Sequence, residues 1–137
     1  MIAIGEDKET IYLTRGDKTD EYHKLAFQYP IYNLATEQEE LYEFQPEDKI
    51  SFVVFIKKGY TKTEVLRVEK TLLEMGYVNP TTTPEIQLTE EDTKSFDLLN
   101  KGKTYWYDLV LNDSTTLLGY DSEGPKKIIV YPEAEEE

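Results

Sequence analysis

His23 is the single histidine of the chain and cysteine is absent, so imidazole base chemistry rests on one residue and thiolate chemistry on none. No motif places a nucleophilic serine beside His23. It reads as a surface strand residue. The chain has no Gly-rich phosphate loop, paired-His metal motif or nucleophile elbow. Carboxylates are abundant, 28 in 137 residues, and a glycosidic hydrolase needs only two of them facing each other at a fixed separation. Glu90 with Asp92, and Asp17 with Asp48, are two such pairings, but at this abundance pairs arise by chance. Asp92, Asp97 and Asp121 offer the hard oxygen ligands that calcium takes, yet no spacing resembles a calcium loop. The expectation is therefore no enzyme, no cofactor and no metal.

Arg15-Gly16-Asp17 spells the tripeptide that integrins read, but it stands where a strand must stop, and Gly-Asp is ordinary turn chemistry. Asn112-Asp113-Ser114 has the form of a glycosylation sequon and equally the form of a hairpin turn. Eleven Tyr and one Trp raise a carbohydrate-binding module, in which exposed rings stack on sugar faces. Tyr12 and Trp106 are the residues for that stacking, or for a protein interface, where aromatic residues are also enriched. Tyr105 and Tyr107 share a strand face with Leu109 and read as core.

The elements that position these residues follow from composition and period. At 137 residues, with 15 basic against 28 acidic side chains and a net charge of −13, the chain has room for one domain, expected over 1–132 with an acidic solvated tail over 133–137. Such an acidic protein repels phosphate backbones and anionic lipid, so neither nucleic acid nor a membrane is an expected partner. Met1 to Lys8 has too short an apolar run and the wrong charge order for a signal peptide. The longest apolar run, Phe52 to Ile56, is far below the ~20 residues of a membrane helix, and the protein is expected to be soluble.

Alternation of apolar residues, the period of a half-buried strand, recurs along the chain. Thr10–Thr14, Tyr22–Gln28, Glu64–Leu72, Glu85–Leu88, Thr115–Tyr120 and Lys126–Tyr131 read as strands. Lys49–Lys57 is apolar on both faces at its middle, which predicts a central strand. Thr104–Leu111 alternates Tyr105, Tyr107, Leu109 and Leu111 against Thr104, Trp106, Asp108 and Val110. Tyr29–Asp48 reads as a connection holding a short helical or extended piece. Thr89, followed by Glu90-Glu91-Asp92, predicts a capped helical turn near residues 89–98. The sum is an all-β chain, an immunoglobulin-like two-sheet β-sandwich with one short helical turn, and a small barrel as the second choice.

Three segments in order carry a resemblance. They are Thr10 to Asp17, containing Thr14-Arg15-Gly16-Asp17; Tyr42 to Val54, containing Pro46-Glu47-Asp48-Lys49-Ile50; and Ile86 to Thr93 with Gly102 to Leu109. Together they resemble the N-terminal domain of phage baseplate upper proteins and related tail proteins, over roughly residues 8 to 132. Glu47 stands where that family's pattern has Gly, and Ser95 to Asn100 is a longer insert than usual. The resemblance implies an immunoglobulin-like sandwich acting without catalysis as an assembly module of a virion or prophage tail. It further implies other tail proteins as partners, a homo-oligomer, and residence in the virion or in the bacterial cytoplasm. Arg15, Gly16, Asp17, Asp48, Thr89, Asp92, Gly102 and Asp108 are then structural turn, cap and anchor residues, with Tyr12 and Trp106 at an interface.

Overall fold

The computed structural model describes residues 2–7, 9–20, 24–96, 101–119 and 126–133. Its strands in chain order are β1 (Ile2–Ile4), β2 (Ile11–Thr14), β3 (Leu25–Ala26), β4 (Pro30–Asn33), β5 (Gln38–Leu41), β6 (Lys49–Lys58), β7 (Thr61–Thr71), β8 (Glu85–Ile86), β9 (Lys103–Leu111), β10 (Thr115–Leu118) and β11 (Lys126–Tyr131), with one helical turn, α1 (Glu90–Thr93). The all-β expectation is borne out. Seven strands join one sheet in the order β1-β2-β11-β9-β6-β7, with β10 also paired to β9; β3 pairs with β8, and β4 with β5.

The central position of β6 follows from its sequence. Ile50, Phe52 and Val54 are buried on one face and Ser51 and Phe55 on the other, and β6 is hydrogen-bonded on both sides, to β7 and to β9. A strand paired on both edges, with buried side chains at successive positions in its middle, needs apolar residues on both faces there, the pattern that Phe52 to Ile56 carries. In β9 the alternation is strict. Tyr105, Tyr107, Leu109 and Leu111 are buried, while Thr104, Trp106, Asp108 and Val110 turn to the other side. Neighbours β2 and β11 run parallel, and the remaining pairs of the large sheet are antiparallel.

The layer opposite the sheet is much smaller than a full second sheet. It consists of the two-residue ladder β3–β8, with Leu25 and Ile86 buried, and of irregular chain that brings Phe27, Phe44, Leu72, Leu88 and Phe96 into the same core. Edge-to-face rings tie this layer together. Phe27 and Phe44 lie 5.4 Å apart at 78°, and Tyr42 and Phe44 4.9 Å apart at 90°, an arrangement that sets ring edges against ring faces.

Several sequence readings are refined. Ile2–Ile4, read only as a non-signal N-terminus, adds the strand β1, because pairing with Ile11–Leu13 buries Ile2. Of Tyr22–Gln28 the ladder keeps Leu25–Ala26, and residues 21–23, with His23, lie outside the described residues. The connection Tyr29–Asp48 holds the hairpin β4–β5, closed through Glu37 at a positive φ of 55°. The helical turn expected over 89–98 is α1 alone, with 97–98 outside the described residues. Asp97, Asp121 and 134–137 of the acidic tail also lie outside them.

Tyr105 gives a first prediction. Its ring is fully buried, 4.9 Å from Phe96, and its hydroxyl has no hydrogen-bond partner among the described residues. A buried hydroxyl without a partner keeps its desolvation cost. Tyr105→Phe is expected to raise the unfolding free energy by about 1 kcal/mol in urea titrations, and a loss of stability would show that the hydroxyl is satisfied.

Candidate functional site

The segments singled out by the sequence converge on two structural nodes and leave one face of the large sheet as the candidate site. The first node sits where β2 ends. Gly16, at φ 89°, makes the turn, a left-handed backbone that a side chain would strain. Its amide donates to Thr93 Oγ1 at 3.0 Å, and that hydroxyl donates to the Asp17 carbonyl at 2.6 Å. Thr89 caps α1 in a reciprocal box. Asp92 N–H donates to Thr89 Oγ1 at 3.1 Å, and Thr89 N–H donates to Asp92 Oδ2 at 2.9 Å.

Arg15 clamps the far side of the same turn. Its Nε donates to the Phe96 carbonyl at 2.9 Å, a terminal nitrogen donates to the Lys94 carbonyl at 3.0 Å, and the other pairs with Glu133. With its side chain only 15% exposed, Arg15 is turned toward the protein. Gly102 lies under the Tyr131 ring, where an added Cβ would come within 3.3 Å.

The second node sits where β6 begins, at the opposite end of the sheet. Asp48 is 7% exposed. It accepts from Tyr42 Oη at 2.8 Å, from Gln45 N–H at 2.8 Å and from Asn112 Nδ2 at 3.0 Å. Burial pushes its carboxyl pKa up, but the three donors together outweigh burial and leave it below the ordinary value. The Tyr42 phenol is pushed up to about 12, first by burial and then by its bond to the Asp48 carboxylate. Asn112 and Asp113, at φ 51° and 59°, are the two central residues of the turn that Ser114 N–H closes onto the Leu111 carbonyl at 3.1 Å, within the three-residue connection between β9 and β10. Asn112 Oδ1 accepts from Lys49 N–H at 2.8 Å, so one amide side chain joins the turn to the start of β6.

These nodes settle the acidic pairings geometrically. β6 runs antiparallel to β9, β9 antiparallel to β11, and β11 parallel to β2, so Asp17 and Asp48 lie at opposite ends of the sheet. Asp92 is engaged in the α1 cap. Among the described residues no three His, Asp or Glu side chains stand together as a metal site.

The face of the large sheet turned away from the core is where the remaining functional residues meet. Register places Ser51, Val53 and Phe55 of β6 beside Val110, Asp108 and Trp106 of β9, and beside Glu69, Arg67 and Glu64 of β7. Lys127 of β11 pairs with Trp106, and Ile129 pairs with Tyr12 of β2. Tyr12 and Trp106 therefore share the face but stand two strands apart, about 10 Å at ordinary strand spacing. Both are half-buried. Val53, Phe55 and Val110 floor a depression of about 430 Å³. Around it Lys62 pairs with Asp108 at 3.5 Å and Arg67 with Glu64 at 2.7 Å. The Lys62 ammonium also lies 4.4 Å above the Phe55 ring. Asp108 is thus an ion-pair partner on this face, packed closely by Gly119, where an added Cβ would meet Asp108 Oδ1 at 3.0 Å.

Sequence reasoning picked out Trp106, Tyr12 and Asp108 on this face but not its charged rim of Lys62, Glu64, Arg67 and Glu69. The signal was present as alternating charge along β7. An apolar floor ringed by paired charges suits a protein or glycan surface contact. No family model, curated protein or solved structure matches this chain. The class that the fold defines is an all-β domain built on one large sheet. No helix among the described residues is long and apolar enough to cross a membrane.

Proposed function

We propose that this chain is a non-enzymatic structural or assembly module of a phage or prophage tail or baseplate, acting through protein-protein contacts. The observation that carries the reading is the use made of the family-like segments. Arg15, Gly16, Thr89 and Asp92 lock the β2 turn to α1, and Asp48 locks β6 to the β9–β10 turn. Residues spent on the frame support a scaffold that presents a surface. The strand order β11-β9-β6-β7 facing the β3–β8 pair also supports an immunoglobulin-like reading, since variable-type sandwiches set G-F-C-C′ against B-E. Partners on this reading are copies of the chain and other tail proteins, in the virion or in the cytoplasm of the host that makes it.

The test is size-exclusion chromatography with light scattering over a concentration series at low and high salt. The expected result is a defined oligomer of fixed copy number, as symmetric tail components require. A strict monomer throughout overturns self-assembly. The second reading, a carbohydrate-binding module, is favoured by Trp106 and Tyr12 sharing one half-open face. Under it the monomer binds on a glycan array and Trp106→Ala abolishes the signal.

A further inference from the structure

We propose that the free edge of β7 pairs with β7 of a second copy, antiparallel, about a two-fold axis passing between Val65 and Leu66. The proposal rests on the assembly reading for its partner and adds the surface and the register.

Among the described residues the large sheet ends in β1 on one side and β7 on the other. β1 has three residues and β7 has eleven. A strand edge carries unpaired N–H and C=O groups that template another strand, and the longer edge offers more of them. Charged side chains on an edge ordinarily discourage pairing. The order of these charges decides otherwise. On the outer face β7 presents Lys62, Glu64, Arg67 and Glu69, as shown by their partners Lys57, Phe55, Val53 and Ser51 on β6.

Reversing that series about the proposed axis sets Lys62 against Glu69 of the second copy and Glu64 against Arg67 of the second copy. By symmetry each pair occurs twice, and no like charges face each other. Cross-strand pairs of opposite charge stabilise a sheet and like charges oppose it. A two-fold centred between residues would normally bring opposite faces together, since strand side chains alternate with period two. The bulge in β7 removes that mismatch. Val54 pairs with Leu66 and Phe55 with Glu64, so Val65 is the extra residue. The face pattern therefore shifts by one on crossing Val65. Thr63 then opposes Val68 on the inner face. The exposed large hydrophobics at the two ends of β7, Tyr60 and Leu73, are brought to the same end of the joined strands.

A dimer of this kind is isologous, so any larger assembly built on it has an even copy number. Because the chain has no cysteine, Val65→Cys supplies a single thiol beside the axis. With a short bis-maleimide linker it is expected to cross-link to a covalent dimer in high yield, while Thr116→Cys, exposed on β10, is not. Arg67→Glu sets Glu64 against a glutamate twice and is expected to weaken the dimer by about tenfold or more in light scattering. The double variant Glu64→Arg with Arg67→Glu restores the 64–67 pair within the chain, though not the second pair of Arg67 with Glu69, restores the 64–67 pairs across the axis, and is expected to recover the dimer. Circular dichroism confirms that each variant is folded.

Cross-linking through Val65→Cys with loss and recovery of the dimer supports the proposal. An oligomer of odd copy number, or one that ignores the charge swap and leaves Val65→Cys uncross-linked, overturns the β7 interface and leaves the assembly reading standing. A monomer at every concentration overturns the β7 interface together with self-assembly, and attachment to a different tail protein then carries the assembly reading alone.

Discussion

Asp48→Ala is expected to destabilise the protein by about 3 kcal/mol, the largest loss from any single polar side chain described here, because hydrogen bonds to a charged acceptor contribute ~1.5–3 kcal/mol each and do not add fully. Asp48 gathers Tyr42, Gln45 and Asn112 around one nearly buried carboxylate. Removing it leaves the half-buried Tyr42 hydroxyl and the Asn112 amide without the acceptor that joins them. Asp48→Asn keeps one acceptor oxygen and loses the charge, so its cost falls between wild type and alanine. Thermal unfolding followed by circular dichroism reads the series, with alanine lowering the midpoint by roughly 10 °C.

The same node sets two pH limits of opposite sign. The Asp48 pKa is depressed in the folded state, so its contribution is complete above the ordinary aspartate value and is lost as pH falls through the folded value. The Tyr42 pKa is raised from 10.0 to about 12, so its contribution is complete below pH 10 and is lost as pH rises through about 12. Asp48→Asn is expected to flatten the acid limb of a stability-pH curve and Tyr42→Phe the alkaline limb. An unchanged acid limb in Asp48→Asn would show that the carboxylate is not held by these donors.

Arg15→Ala carries the second large effect, about 2–3 kcal/mol, and a local signature distinguishes it. Its guanidinium satisfies the carbonyls of Lys94 and Phe96, beyond the end of α1, and pairs with Glu133. Hydrogen exchange should lose protection over residues 89–96 first, while β6 and β9 keep theirs. Arg15→Lys should recover little of the loss, since an ammonium cannot bridge two carbonyls and a carboxylate that lie around a planar fork. Uniform loss of protection across the sheet would show that the clamp belongs to the global core. The clamp engages the guanidinium of the Arg15-Gly16-Asp17 turn within the protein.

Local signals were the legible ones. The period-two alternation in Lys103–Leu111 and Lys126–Tyr131 placed β9 and β11 within a residue, because burying one strand face requires apolar side chains at every second position. The α1 start was readable from Thr89 and Asp92, whose partners lie three residues apart. β1 was not readable, since three residues hold too few positions for a period, and neither was β4–β5, whose eight exposed or half-exposed residues between Pro30 and Leu41 carry no core face.

The sequence by itself determined the all-β class, the central place of the strand around Phe52 to Ile56, the capped turn at Thr89 and the core side of β9, all consequences of spacing within a few residues. Only the tertiary structure decided the parallel pairing of β2 with β11, the join of Asp48 to Asn112 and the clamp of Arg15 on Phe96, which link positions 64 and 81 residues apart. It also decided that most of the strands belong to one sheet, and that Trp106, Asp108 and the charges of β7 share one face. Hydrogen bonding between strands depends on which edges meet, and backbone amides and carbonyls are the same at every position, so the pairing is selected by burial of the whole core and not by any local pattern.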